Sequence, residues 1–260
     1  MARRYVDTRW GQIHVRDTET PGPAIVLLHE SPLSSAVYEP VLPDLSGTLR
    51  AVAPDTPGYG ASDGPSDQAE IHDYAAILLE AIDALGLQRF AVAGVHTGAS
   101  LAIQLAVQAP ERVTHAILSG VPLFDPEVRQ RYLDTWAPPM AVAADGSHLT
   151  WSWERYERIW GGPPELLHLG ATTLLGNLAG YHHAYQAAFR YDPEPDLAAV
   201  ACPVLLYTAA QDLLIEADNI AVERFPDARL ETVPRLRGQL PLRCPGTYAA
   251  RVQRFVLEGR

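Results

Sequence analysis

The sequence predicts an α/β protein: a mostly parallel sheet with helices on both faces and a helical segment inserted late in the chain. Three observations carry this. Short apolar runs of strand length alternate with amphipathic stretches of helical period. The connections between them are short, as parallel strands joined by helices require. The strand rhythm stops after Val121 and resumes only at Pro203. With 260 residues, 47% hydrophobic and 20% charged, the chain is large enough for a sizeable packed core.

Taken in order, Gln12 to Arg16 alternates like a hairpin strand, and Ala24 to Leu28 is a continuous apolar run, the pattern of a strand buried on both faces. Arg50 to Asp55 is a further strand ending in the turn Thr56-Pro-Gly-Tyr-Gly60. Ile71, Ala75, Leu78, Leu79 and Ile82 recur at helical spacing between about Gln68 and Leu85, and Gly86 follows as a C-terminal cap. A strand from Phe90 to Gly94, a helix from Thr97 to Gln108 stopped by Pro110, and a strand from His115 to Gly120 come next. Residues 122–196 carry four of the five Trp, several Pro-Pro or Gly-Gly pairs and helical patches without strands, which reads as an inserted cap. Pro203 to Tyr207 and Ala228 to Val233 resume the sheet, and Thr247 to Leu257 forms a closing helix.

Composition excludes several chemistries. All 20 basic residues are Arg, so a Schiff-base lysine, a P-loop lysine and an ammonium base are absent. The 31 acidic residues leave a net charge of −11, which opposes binding to phosphate backbones, so nucleic acid is not an expected partner. Cys202 and Cys244 offer no paired-cysteine metal or redox spacing and read as core thiols. The N-terminal residues are basic but lack an apolar segment, and no apolar run approaches the roughly 20 residues of a membrane span. A cytoplasmic protein without membrane contact is expected. The cap aromatics leave a homodimer face open.

In open parallel sheets, ligands bind beyond the carboxyl ends of the strands. Two of those loops begin with histidine, at His29 and His96. Gly94-Val95-His96-Thr97-Gly98 has the frame of a nucleophile elbow, small-x-nucleophile-x-small, between a strand and a helix. His96 fills the central position, where Ser, Cys or Asp is usual. Ser100 falls one turn inside the helix and reads as a packing hydroxyl.

Across nearly its whole length the sequence resembles the α/β-hydrolase-fold superfamily. The resemblance rests on the strand ending in His29, the loop Asp55-Thr-Pro-Gly-Tyr-Gly-Ala-Ser-Asp63, the elbow at 94–98, the helix exit Ala109-Pro-Glu-Arg-Val113 and an acid-bearing loop at Asp212. It is similar in particular to a bacterial subgroup with a Gly-x-His-Thr-Gly elbow. The resemblance implies an eight-stranded, mostly parallel α/β-hydrolase sheet in a core of residues 1–121 and 197–260, with residues 122–196 as a helical cap.

It also implies a catalytic order of nucleophile, acid and histidine. Asp212 matches the acid, but the loop that normally supplies histidine reads Arg237-Gly238-Gln239, and Gln239 cannot act as a base near neutral pH. An imidazole at the elbow therefore reads as a general acid or base, beside an oxyanion hole made by the N–H of Thr97 and a donor near Glu30 or Ser31. Glu30 stands where the family usually has Gly. It reads either as a pocket carboxylate acting on His96 or as a solvent-facing loop residue. Asp212 reads as a partner of His96, of Gln239 or of a backbone turn, and His29 as a structural imidazole.

In the cap, His182 and His183 are further substrate-contacting candidates, whereas Trp151, Trp153, Tyr156 and Trp160 read as the cap's own core. Asp125 reads as a helix cap. No metal cage and no cofactor are expected. The leading expectation is a cofactor-free enzyme acting through His96, with Glu30 and Asp212, on a small or medium hydrophobic carbonyl compound by lyase, cyclase or isomerase chemistry. The alternatives are an ester or lactone hydrolase whose water His96 activates, and a ligand binder without catalysis.

Overall fold

The computed structural model describes residues 1–65 and 68–259. Eight strands form one sheet in the order β1-β2-β4-β3-β5-β6-β7-β8. They are β1 Ala2–Thr8, β2 Gly11–Asp17, β3 Ala24–Leu28, β4 Arg50–Pro54, β5 Phe90–Val95, β6 Val113–Ser119, β7 Val204–Ala209 and β8 Ala228–Val233. β2 runs antiparallel to both β1 and β4, and all other neighbours are parallel.

The period of two in the central strands explains the layers. Ala24, Val26 and Leu28 of β3 join one hydrophobic cluster with α2 (Ile71–Ala84) and α3 (Thr97–Gln108), while Ile25 and Leu27 join a second cluster on the opposite face. That second cluster includes α1 (Leu42–Leu45) and the closing helix α11 (Pro245–Glu258). β7 divides the same way, with Val204 and Leu206 on one side and Leu205, Tyr207 and Ala209 on the other. Helices therefore cover both faces of the sheet.

β6 and β7 are adjacent, and the long connection between them is helical. It consists of α4 (Pro126–Thr135), α5 (Ser147–Ile159), α6 (Pro164–Gly176), α7 (His183–Arg190) and α8 (Glu194–Leu197). α9 (Ile215–Ala221) follows β7, and α10 (Leu240–Arg243) precedes α11. Among the described residues no helix is long and apolar enough to cross a membrane.

The sequence pattern misses β1, because an edge strand buries little and most of its side chains stay exposed or half-buried. It also misses α1, α9 and α10, which are too short to establish a helical period. β7 continues past Tyr207 through Thr208 and Ala209, which carries the strand end closer to Asp212.

One buried carboxylate ties the loops at this end of the sheet. Asp55, just beyond β4, accepts hydrogen bonds from His14 Nδ1 at 2.9 Å, from the Ala61 N–H at 2.9 Å and from the Ser35 N–H at 2.6 Å. Burial alone would raise its pKa, but the bond from His14, the His29 ring and the backbone donors hold it well below the usual carboxylate range. A depressed carboxylate contributes its stability above the unfolded value of about 3.9 and loses it as pH falls through the lower folded value. Asp55→Asn is therefore expected to destabilise the fold by about 1.5–3 kcal/mol at neutral pH. Thermal denaturation of both proteins across pH checks this: the gap in Tm should narrow below about pH 4, and a gap independent of pH refutes the electrostatic account.

Candidate active site

The site is built on the sharp turn between β5 and α3. His96 occupies that turn at φ 48° and ψ −110°, a conformation that side-chain-bearing residues adopt only under constraint. Two contacts impose it. The His96 N–H donates to the Ser119 carbonyl at 2.9 Å, and Gly98 lies so close to β3 that a Cβ there would stand 2.1 Å from the Leu28 carbonyl oxygen. The turn thus lifts the imidazole above the carboxyl ends of the strands and sets the first N–H groups of α3 beside the loop after β3.

Asp212 reaches the same point from β7. Both of its carboxylate oxygens lie 3.1 Å from His96 Nε2, and Oδ1 also accepts from the Leu214 N–H at 2.8 Å. Gly120, at the end of β6, leaves room for the ring, since a Cβ there would stand 2.2 Å from His96 Cδ2. The imidazole stacks on Trp160, with ring centroids 5.3 Å apart and planes inclined by 16°.

Burial alone would favour the neutral imidazole. The Asp212 charge and hydrogen bond outweigh it, Glu30 and Asp218 add to them, and the pKa of His96 rises to about 9. The resting pair near neutral pH is an imidazolium facing a carboxylate, in which Nε2–H donates to Asp212. Nδ1 has no hydrogen-bond partner among the described residues.

A cavity of about 60 Å3 adjoins this ring. Ser31 and Thr97 line its floor beside His96, and Trp136, Trp160, Tyr185 and Phe189 line its aromatic roof. Glu30 is buried, at 3% exposure, and its Oε1 accepts from Gln239 Nε2 at 3.2 Å. The solvent-facing reading of Glu30 is therefore wrong. It makes no hydrogen bond to His96 among the described residues and acts on the ring through its charge.

His29 is fully used by its own loop: Nδ1 lies 3.0 Å from the Glu30 carbonyl, and Nε2 accepts from the Thr56 N–H at 2.9 Å. Those two bonds fix its tautomer, and burial lowers its pKa. It is structural.

The strand order, the turn at His96 and the partnership with Asp212 now stand beside comparisons with known proteins. The family model for the alpha/beta hydrolase fold matches residues 23–235. The chain belongs to that family. Over 118 residues it is 35% identical to haloalkane dehalogenase 2 of Mycobacterium tuberculosis, covering 45% of this chain and 41% of that protein. Over 116 residues it is 33% identical to carboxylesterase YbfK of Bacillus subtilis, covering 44% of this chain and 39% of that one. The matched part thus spans about two-fifths of each relative's length. Among solved structures, a hydrolase from Pseudomonas aeruginosa PA01 superposes with a TM-score of 0.83 at 19% identity, covering 98% of both chains. The enol-lactonase from Burkholderia xenovorans LB400 gives 0.80 at 19% identity, covering 98% of this chain and 100% of that one. At such identities the structural likeness concerns the fold alone.

Within this α/β-hydrolase fold several sequence expectations need correction. His182 and His183 do not line the cavity: His183 is exposed, and His182 packs against Tyr181 and His183. The helical period of α7 turns Tyr185 and Phe189 inward instead, four residues apart on one face. Trp160 is not merely cap core, because it covers His96. Trp151 packs edge-on against Tyr181, and Tyr156 is buried, as expected of a helical core. Asp125 caps α4 through the Val128 N–H at 2.8 Å. Ser100 is buried inside α3 and does not line the cavity.

Sequence reasoning also missed Asp218, on α9. It is fully buried and accepts from the N–H groups of Gly120 and Val121 at 2.9 and 2.8 Å. Burial pushes it up to about 7 against those bonds. Nothing in so short a helix marks it in the sequence.

A histidine whose folded pKa is raised stabilises the fold in full below its unfolded value of about 6.5 and loses that contribution as pH rises through the folded value. In wild type the His96 ring is expected to titrate near pH 9, and Asp212→Asn should bring the midpoint down by more than one pH unit. NMR titration of the ring C–H signals, assigned with His96→Gln, checks this; an unchanged midpoint in Asp212→Asn removes Asp212 as the cause.

Proposed function

We propose that this α/β-hydrolase-fold protein is a cofactor-free enzyme in which His96 occupies the nucleophile position of the family and works as a general acid and base on a carbonyl compound. The observation that carries the proposal is the His96–Asp212 pair, placed at the strand end on the wall of a cavity with aromatic lining. Decay of a catalytic serine would leave an inert residue there. It would have no reason to leave a titratable ring held by a buried carboxylate.

The mechanism follows from the protonation state. A carbonyl oxygen seated against the N–H groups of Thr97 and of the Glu30-Ser31 loop acquires negative charge as its neighbouring bond breaks or its α-proton leaves. The imidazolium gives its proton to that oxygen, and the neutral ring that remains takes the α-proton, which turns the keto form into the enol and restores the imidazolium. Asp212 holds the ring's tautomer and stabilises its charged form throughout. Gln239, in the position of the family's histidine, is bonded to Glu30 and takes no part in proton transfer. This chemistry fits lyase, cyclase or isomerase reactions, in which one acid and base is sufficient.

Ester or lactone hydrolysis with a water activated by His96 is the second reading, favoured by the carboxylesterase among the curated relatives. It requires the neutral ring as its starting form, and a pKa of about 9 makes that the minor form near pH 7.

The two readings differ in their pH profile. Acid catalysis by the imidazolium falls off as pH rises through about 9, whereas base activation of water rises toward that value. Initial-rate measurements on a panel of small ketones, enol lactones and esters distinguish them. His96→Ala is expected to lower turnover by about 10²–10⁴-fold on whichever compound is active. Full turnover in that variant, or tight ligand binding with no turnover in wild type, rejects the acid–base role.

A further inference from the structure

Asp218, on α9, is fully buried and enters no ion pair among the described residues. Its two oxygens serve two successive N–H groups instead: Oδ2 accepts from Gly120 at 2.9 Å and Oδ1 from Val121 at 2.8 Å. A buried carboxylate without a cation is costly, and the choice of side chain follows from the task. Two neighbouring donors need two acceptor oxygens, which a carboxylate has and an amide lacks.

The backbone held in this way is the seat of His96. Sheet pairing ends just before it: β6 reaches β5 through Ser119 and β7 only through Leu118. The Ser119 carbonyl accepts the His96 N–H at 2.9 Å. Gly120, at φ 66°, lies so close to the ring that a Cβ there would stand 2.2 Å from His96 Cδ2 and 3.1 Å from Asp212 Oδ1. Cδ2 adjoins Nε2 in the imidazole, so a shift of this peptide moves the atom that meets Asp212. Pro122, two residues on, lines the cavity.

The same segment carries both acids. The Asp218 N–H donates to the Leu214 carbonyl at 3.0 Å, and the Leu214 N–H donates to Asp212 Oδ1 at 2.8 Å. Residues 212–218 thus hold the imidazole twice, directly at Nε2 and through the backbone packed on Cδ2. We propose that Asp218 is a positioning residue, which by fixing the Gly120–Val121 backbone keeps the His96 ring at hydrogen-bond distance from Asp212. This placement does not rest on the acid–base reading of His96; an effect on turnover does.

NMR titration of the ring C–H signals of the full chain tests it without a substrate. The acids acting on the ring are Asp212, Glu30 and Asp218, and Asp218 in turn faces Asp212. Asp218→Asn should lower the His96 midpoint by about half a pH unit or more. In an Asp212→Asn background the same change should have a clearly smaller effect, because the contact it adjusts is already gone. An unchanged midpoint overturns the inference. So does an equal shift in both backgrounds, which marks a charge acting alone.

Wild type supplies a test that no misfolded variant can spoil. Burial raises Asp218 against its backbone bonds, to about 7, and protonation there removes one acceptor. The amide signals of Gly120 and Val121 and the ring signals of His96 should therefore share a step near that pH. Amides that move while the ring does not overturn the inference. On a compound that wild type turns over, Asp218→Asn should lower kcat about tenfold or more and leave KM within about twofold. A ring that shifts while kcat does not overturns the acid–base role of His96 and upholds the positioning by Asp218.

Discussion

The upper face of the sheet depends on one ionic hydrogen-bonded contact, that between His96 and Asp212. It joins the ends of β5 and β7, two strands separated by β6, and it requires a residue without a side chain, Gly120, directly after β6. Taking both charges out of water is costly, and replacing such a buried pair by well-packed apolar groups is often neutral or stabilising. The strained turn at His96 adds a further cost. A perturbed titrating pair in a strained turn beside a cavity is the arrangement in which functional sites cluster.

The same contact organises the electrostatics around it. Three carboxylates, on Asp212, Glu30 and Asp218, lie close enough to raise the imidazole, but each is held differently. Asp212 meets the ring, Glu30 is bonded to Gln239, and Asp218 accepts two backbone N–H groups at the exit of β6. In the first turn of α3 the Ala99 and Ser100 N–H groups donate back to the His96 carbonyl at 2.8 and 3.2 Å, which fixes the turn that carries the ring. Negative charge therefore surrounds the imidazole at the strand ends. Trp160 closes the ring's face and excludes water from it.

Much of this was legible in the chain. The apolar runs at 24–28, 90–94 and 203–207 and the helix beginning at Thr97 follow from periodicity, because a strand buried on both faces cannot carry polar residues and a helix must repeat its apolar face. The elbow frame was legible because close approach of backbone to backbone admits only glycine at 94 and 98. What could not be read was which side chains meet across the sheet. Asp212 had three possible partners in the sequence, and Glu30 had two possible directions. Tyr185 and His183 are two residues apart on one short helix, yet only the packing of α7 decides that the phenol enters the cavity and the imidazole faces solvent.

The sequence by itself determined the layered α/β architecture, the absence of any lysine chemistry and the presence of an imidazole where a nucleophile would stand. These are local properties, set by residue type and spacing. The tertiary structure alone decided that Asp212 charges that imidazole, that Glu30 is buried against Gln239, that Trp160 covers the ring and that Asp218 holds the backbone at the exit of β6. Each of these depends on residues separated by many positions in the chain, and on the burial that gives their charges weight, neither of which a one-dimensional pattern records.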